Sequence, residues 1–418
     1  MKKIVGYVIA LSLTVAGCGN QKAPEHLSSQ ADTNVAAGKY KKALSLYDKA
    51  IAVSDKDSAL YAKRATVKSL LMNYDSALAD FNRAIDLRPN VGWYYSKRAR
   101  VLAELNRPQE AIDSANEALK LEPNDPQTLA YRASAYSQLG QYDKGLADAL
   151  QAKHGGDLVY TYKVLGTCYI HLGKPDEAID CLQKALDLNP KEPGLLCLKS
   201  DAEMQKLDLK QAIYTAKRAR DLNPKATEPY SCLARAYMLS GDYSAAKTNI
   251  DKVMEFSPLD GKALQTVYYM AENDKANALS SALAVAKERP SPESVLTLAE
   301  AYTLSNRGRE ALSVCDELEQ KHPNLAALHR ARAMALLALG RNDEALEAAS
   351  KSISILSYNP IAFRLRSEAS HRLGKEEQAR SDRLSAEKLG YSNNLPQERI
   401  LTNLSETIAK SKSETGAM

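Results

Sequence analysis

Residue types that carry chemistry are thinly spread in this chain. Its 418 residues include six histidines, one tryptophan and three phenylalanines. There is no glycine-rich phosphate loop, no nucleophile-elbow serine and no histidine pair at metal-ligand spacing. His26, His154, His171, His322, His329 and His371 are scattered, and Pro323 would break any helix joining His322 to His329. The 56 Lys and Arg are interleaved with 51 Asp and Glu. No basic run with aromatic stacking partners stands out, so a nucleic-acid footprint is missing. The apolar run over residues 4–15 is too short to cross a bilayer. No cofactor, metal ion, nucleic acid or catalytic activity is expected.

What the chain has is a period. Small residues recur at Ala43, Ala77, Ala111, Gly145, Ala178, Ala212, Ala246, Ala278, Ala311, Ala345 and Ala379. Seven of the ten intervals are 34 residues, two are 33 and one is 32. Self-similarity at this spacing predicts an all-α solenoid of about eleven helical hairpins, read as one elongated unit. The repeats consume nearly the whole chain and leave no room for a catalytic domain.

The clearest copy runs over residues 159–192, with Tyr162, Leu165, Gly166, Tyr169, Gly173, Ala178, Leu182, Ala185 and Pro190 in register. Gly166, Ala178 and Ala185 suit close approaches of helix axes, and the larger residues fill the wider gaps. Gly173 suits a left-handed helix end, and Pro190 stops the second helix. Related turn residues are Gly38, Asn106, Gly140, Gly241, Asn306, Gly340 and Gly374. Closing prolines recur as Pro89, Pro123, Pro224, Pro258, Pro290 and Pro323. This pattern resembles the tetratricopeptide repeat. The resemblance implies a right-handed superhelix of antiparallel helix pairs over residues 26–391, used for protein–protein contacts. Three places depart from it. The last two repeats have Ser357 and Tyr391 in place of the closing proline. Residues 153–156 lack the closing proline, which predicts a looser joint. Residues 261–290 have lost about two residues and carry Tyr268 and Tyr269 where a small residue is expected, which predicts a poorly registered weak point.

Arginine often precedes the first-helix small residue, as Arg64, Arg98, Arg132, Arg332 and Arg366. Asp80, Asp148 and Asp382 face the first, third and fifth of these, which predicts ion pairs inside the hairpins, worth about 0.5 kcal/mol each if exposed.

The amino terminus reads as an export signal. Met1-Lys2-Lys3 is a basic start, residues 4–15 are apolar, and Val15-Ala16-Gly17-Cys18 follows. That ending resembles a bacterial lipobox. The resemblance implies a signal peptide over 1–17, a lipidated Cys18, and a short tether over 18–25. Acyl chains on Cys18 would hold the protein at a membrane. Gly19, in place of an acidic residue, resembles the pattern sent to the outer membrane, facing the periplasm. At the other end, residues 392–418 are expected to form a capping helix, with Ile400, Leu401, Leu404 and Ile408 on one stripe, and a disordered tail.

Five cysteines remain, Cys168, Cys181, Cys197, Cys232 and Cys315, an odd number at no metal spacing. They read as buried thiols in small core positions, with a Cys168–Cys181 bridge conceivable. In the resembled family the concave groove is lined by first-helix residues off the packing stripe. Carried over, that implies a partner-binding groove containing Lys63, Trp93, Lys97, Arg100, Tyr131, Tyr160, Lys163 and Arg235. Two readings follow: a lipid-anchored envelope scaffold for proteins or peptides, or a binder of a cell-wall glycan or peptide held by Trp93, Tyr131 and Tyr160.

Overall fold

The structure, a computed structural model, describes residues 24–155 and 157–389. The signal peptide, Cys18 and the expected capping helix at 392–418 lie outside the described residues. Helix α1 covers residues 24–36, so Pro24 and Glu25, expected in the tether, are already helical. Six helices follow it in the first hairpins: α2 (Tyr40–Val53), α3 (Ser58–Leu70), α4 (Tyr74–Leu87), α5 (Gly92–Glu104), α6 (Pro108–Leu121) and α7 (Pro126–Gln138). The middle of the chain forms α8 (Tyr142–Ala152), α9 (Leu158–His171), α10 (Pro175–Leu188), α11 (Pro193–Gln205), α12 (Leu209–Leu222), α13 (Thr227–Ser240) and α14 (Tyr243–Phe256). The last hairpins are α15 (Pro258–Ala271), α16 (Lys275–Glu288), α17 (Pro292–Leu304), α18 (Gly308–Lys321), α19 (Ala326–Ala338), α20 (Asn342–Ile355), α21 (Pro360–Arg372) and α22 (Glu376–Lys388). The described residues thus form eleven consecutive helix–turn–helix pairs without a strand, as the period predicts. No described helix is long and apolar enough to cross a membrane.

The helices group into two compact units, Met1–Cys168 and Tyr169–Met418, where the unbroken period predicts one. The division falls near the carboxy-terminal end of α9. In the first unit, Phe81, Ile85, Tyr94 and Val101 pack around Ala65, Ala77 and Ala84. In the second, Met270, Leu304, Met334, Leu336, Leu337 and Leu365 belong to one continuous cluster. Each buried leucine contributes about 1.5–3 kcal/mol of burial free energy. The periodic small residues sit where the sequence puts them: Ala43, Ala77, Ala111, Ala178, Ala212, Ala246, Ala278, Ala311 and Ala345 are all fully buried. Gly145 shows why the slot stays small, since a Cβ there would come within 2.9 Å of the Ala133 carbonyl oxygen.

The turn inside each hairpin needs one residue with positive φ. All eight turn residues picked from the sequence adopt it, from Gly38 (φ 69) to Gly374 (φ 73). The other three turns use Met72 (φ 61), Leu207 (φ 59) and Asn273 (φ 60). Helix starts are fixed locally. Pro108, Pro126, Pro175, Pro193, Pro258, Pro292 and Pro360 sit in the first turn, where no backbone N–H is needed. Asp57, Asp208, Asp242 and Asp274 cap other starts by accepting backbone N–H groups, and Asp125 caps the start that Pro126 opens.

Repeat eight corrects the sequence reading in two ways. The missing residues are lost before the repeat, between α14 and α15, where Ser257 both ends one helix and caps the next. Pro258 therefore opens α15 and does not stand outside a helix. Within the hairpin the small slot is filled by Thr266, which is fully buried and donates to the Lys262 carbonyl at 2.9 Å. Tyr268 lies off that slot, edge-on to Tyr243 and Tyr269. The hairpin is regular, and the expectation of a poorly registered stretch fails because the tyrosines masked Thr266 two residues earlier.

Candidate protein-binding surface

The arginines before the small residues hold neighbouring hairpins together. Arg64 grips Asp80 with Nε and Nη2, both at 2.7 Å, and reaches back to Asp48 of α2 at 2.7 Å. Arg132 repeats the arrangement on Asp148 at 2.6 and 2.9 Å and on Asn116 at 2.7 Å. Arg366 grips Asp382 at 2.9 and 2.6 Å. All three aspartates are buried, so removing the arginine of a fork would leave a buried charge without its partner. Hydrogen bonding to Asp80 is the main cause that raises the Arg64 pKa, and Asp148 does the same for Arg132. Arg98 has only Ser114 at 2.9 Å and Asn82 at 3.2 Å, and burial lowers its pKa. Arg332 pairs with Asp316 at 2.5 Å and Glu319 at 2.7 Å.

A second set of bonds links successive first helices at their carboxy-terminal ends. Gln138 donates to the Ala103 carbonyl at 3.0 Å, Gln205 to that of Ile170 at 3.0 Å, and Arg372 to that of Leu337 at 3.0 Å. These groups satisfy carbonyls that a helix end leaves open.

Four of the sequence-chosen groove residues come together in the first unit. Lys97 Nζ donates to Gln127 Oε1 at 2.7 Å and lies 5.5 Å from the Tyr131 ring centroid. The Arg100 guanidinium sits 6.0 Å from the same centroid. Tyr131 meets Tyr160 edge-on, with centroids 5.4 Å apart. Burial, and then the charge of Arg100, push the Lys97 pKa down to about 8. Burial raises Tyr160 to about 12 and shifts Tyr131 in the same direction. Beside them is a notch of about 150 Å³ lined by Glu104, Ser134, Ser137, Gln138, Tyr160, Lys163 and Thr167, with Ala103 and Val164 at its base. Lys163 is therefore also on this surface.

The remaining three lie elsewhere. Lys63 pairs with Asp32 at 2.7 Å and donates to Ser28 at 3.1 Å. Trp93 packs edge-on against Phe81 of α4 and its neighbour Tyr94, so it does not join Tyr131 and Tyr160. Arg235, in the second unit, pairs with Asp201 at 2.7 Å beside the Cys232 thiol at 3.4 Å. Glu104, Gln127 and Gln138 belong to the surface but were missed. They occupy the second and thirteenth positions of their repeats, whereas the sequence reading drew chiefly on the sixth and ninth. Among the described residues, Cys168, Cys181, Cys197, Cys232 and Cys315 form no disulfide, so the conceivable Cys168–Cys181 bridge is not made. No cluster of metal-ligating side chains occurs among the described residues.

Comparison with known proteins agrees with the fold. Tetratricopeptide-repeat family models match residues 159–192, 92–125 and 326–350. The chain is 33% identical over 100 residues to BBSome complex member BBS4 of Bos taurus, covering 24% of this chain and 19% of that protein. It is 26% identical over 191 residues to Tetratricopeptide repeat protein 37 of Xenopus laevis, covering 41% of this chain and 12% of that one. The chain thus spans a minor part of each relative. Among solved structures, a chain of the APC/C hetero-tetramer Cut9-Hcn1 aligns over 96% of this chain and 87% of its own, at 16% identity and a TM-score of 0.54. The chain has the helical-hairpin solenoid fold of tetratricopeptide-repeat proteins, and three of its hairpins match models of that repeat. No enzymatic family is indicated.

Proposed function

We propose that this protein is a lipid-anchored scaffold of the cell envelope, holding partner proteins on the first-helix face of its repeats. The observation that carries the binding part is the gathering of Lys97, Arg100, Tyr131, Tyr160 and Lys163 beside one polar notch. Anchoring rests on the order of features at the amino terminus: basic start, short apolar run, small residues, then Cys18. Gly19 supports the outer membrane as its destination. The glycan reading is weaker, because stacking on a sugar needs an open ring face. Tyr131 is buried beneath Lys97, Arg100 and Tyr160, and Trp93 lies apart.

Cys18→Ser should abolish metabolic labelling with a fatty acid and release the protein from membranes. Persistent label in that variant would overturn the anchor. For the binding part, capture from solubilised membranes should return a stoichiometric protein partner. Recovery of wall fragments alone would favour the other reading.

A further inference from the structure

We propose that Cys197 and Cys232 are a reversible oxidation site, which a peroxide converts to a disulfide joining α11 to α13. The site lies in the second unit and rests on neither the binding surface nor the anchor. Its two helices are the first helices of successive repeats and pack against one another. The Cys232 sulfur lies 3.9 Å from both the Cys197 carbonyl oxygen and Asp201 Oδ1. The Arg235 guanidinium stands 3.4 Å from the same sulfur and 2.7 Å from Asp201. Two other cysteines are set differently. Cys168 meets Ser137 at 3.1 Å, and Cys315 belongs to a separate apolar cluster with Leu296, Leu318 and Leu328.

A thiol buried among apolar groups is inert, whereas one beside a cation can react as its thiolate. At Cys232 a guanidinium stands where the thiolate would carry its charge, and a carboxylate where its proton would go. Burial raises the Asp201 pKa, which suits that carboxylate to receive a proton. The neighbouring Cys232 thiol, and then burial, raise the Cys197 pKa, so Cys197 keeps its proton until the second step. Exposures of only 7% and 2% at Cys197 and Cys232 select a small oxidant, and hydrogen peroxide is little larger than water.

In the first step the Cys232 sulfur gives its proton to Asp201 and attacks one peroxide oxygen. The O–O bond breaks, an S–O bond forms, and the departing hydroxide takes the proton from Asp201 as water. Cys232 is then a sulfenic acid, which condenses with a thiol. The Cys197 sulfur attacks it, the S–S bond forms as the S–O bond breaks, and the departing hydroxide takes the Cys197 proton. Two thiols are oxidised and one peroxide is reduced to two waters.

The test is peroxide treatment of the whole folded protein, followed by thiol blocking in denaturant, digestion and mass spectrometry. A peptide pair joined through Cys197 and Cys232 should appear, two hydrogens lighter than the sum of its parts. Dithiothreitol should return both thiols, and Cys168 and Cys315 should be recovered blocked and unoxidised. Cys197→Ser, checked for folding by circular dichroism, should leave Cys232 as a sulfenic acid that dimedone traps. Recovery of Cys197 and Cys232 as free thiols, or as sulfinic acids without the link, overturns the site. A folded Cys197→Ser protein without the dimedone adduct at Cys232 overturns the assignment of Cys232 as the sulfur attacked first.

Discussion

Met72 is a side chain in a backbone conformation that favours glycine. Its φ of 61° places it in the left-handed region, which costs an L residue about 1–2 kcal/mol. Its side chain is 73% exposed, so it gains little there in return. Met72→Gly should therefore raise stability by about 0.5–1 kcal/mol, after allowing for the greater freedom of glycine in the unfolded chain. Denaturant unfolding checks it, and a loss of stability would show that Met72 makes a contact worth more than its strain. Lys97 carries the opposite kind of cost. Its folded pKa near 8 lies below the ordinary 10.5, so between those values the unfolded chain holds more protons. Stability from this group is thus present above pH 10.5 and lost as pH falls through 8. Tyr131 and Tyr160, whose pKa values are raised, act against it above about pH 10. Wild type should gain stability from pH 8 towards 10 relative to Lys97→Met, measured by urea unfolding at each pH. A constant difference between the two would contradict the buried-cation account.

Among the elements, the arginine forks are the joints. Arg132 binds α7 to α8 through Asp148 and to α6 through Asn116, so one side chain ties three helices. Arg132→Ala would leave Asp148 buried without its cation, costing about 3–5 kcal/mol. Arg132→Lys should recover only part of this, because an ammonium cannot span both partners as a fork. Thermal unfolding of both variants checks it, and full rescue by lysine would reduce the fork to simple charge pairing. This scale also shows how far the sequence could be read. Glycine and asparagine mark nine of the eleven described turns, since those residue types tolerate positive φ, and the sequence reading picks eight of them, passing over Asn273. Met72 and Leu207 carry no such mark and are forced into it by the packing of the helices on either side. Thr266 was hidden in the same way. A threonine in a slot otherwise held by alanine, glycine or serine gave no signal beside two tyrosines. The convergence of Lys97 on Tyr131 was legible, because they hold the same position in successive repeats. The direction of Trp93 was not, because a second-position side chain can pack back onto the preceding helix.

At the scale of the whole molecule, the proposed function rests on a surface of the repeats. The central claim is that partners meet the first helices of repeats three to five. Site-specific photo-crosslinking in cells addresses it most directly. A photoreactive residue at Glu104 or Lys163 stands on the proposed face, and one at Glu117 stands on the second helix α6. Crosslinked partner protein should form from Glu104 and Lys163 and be absent from Glu117. Crosslinks from Glu117 with none from the first-helix positions would contradict the account.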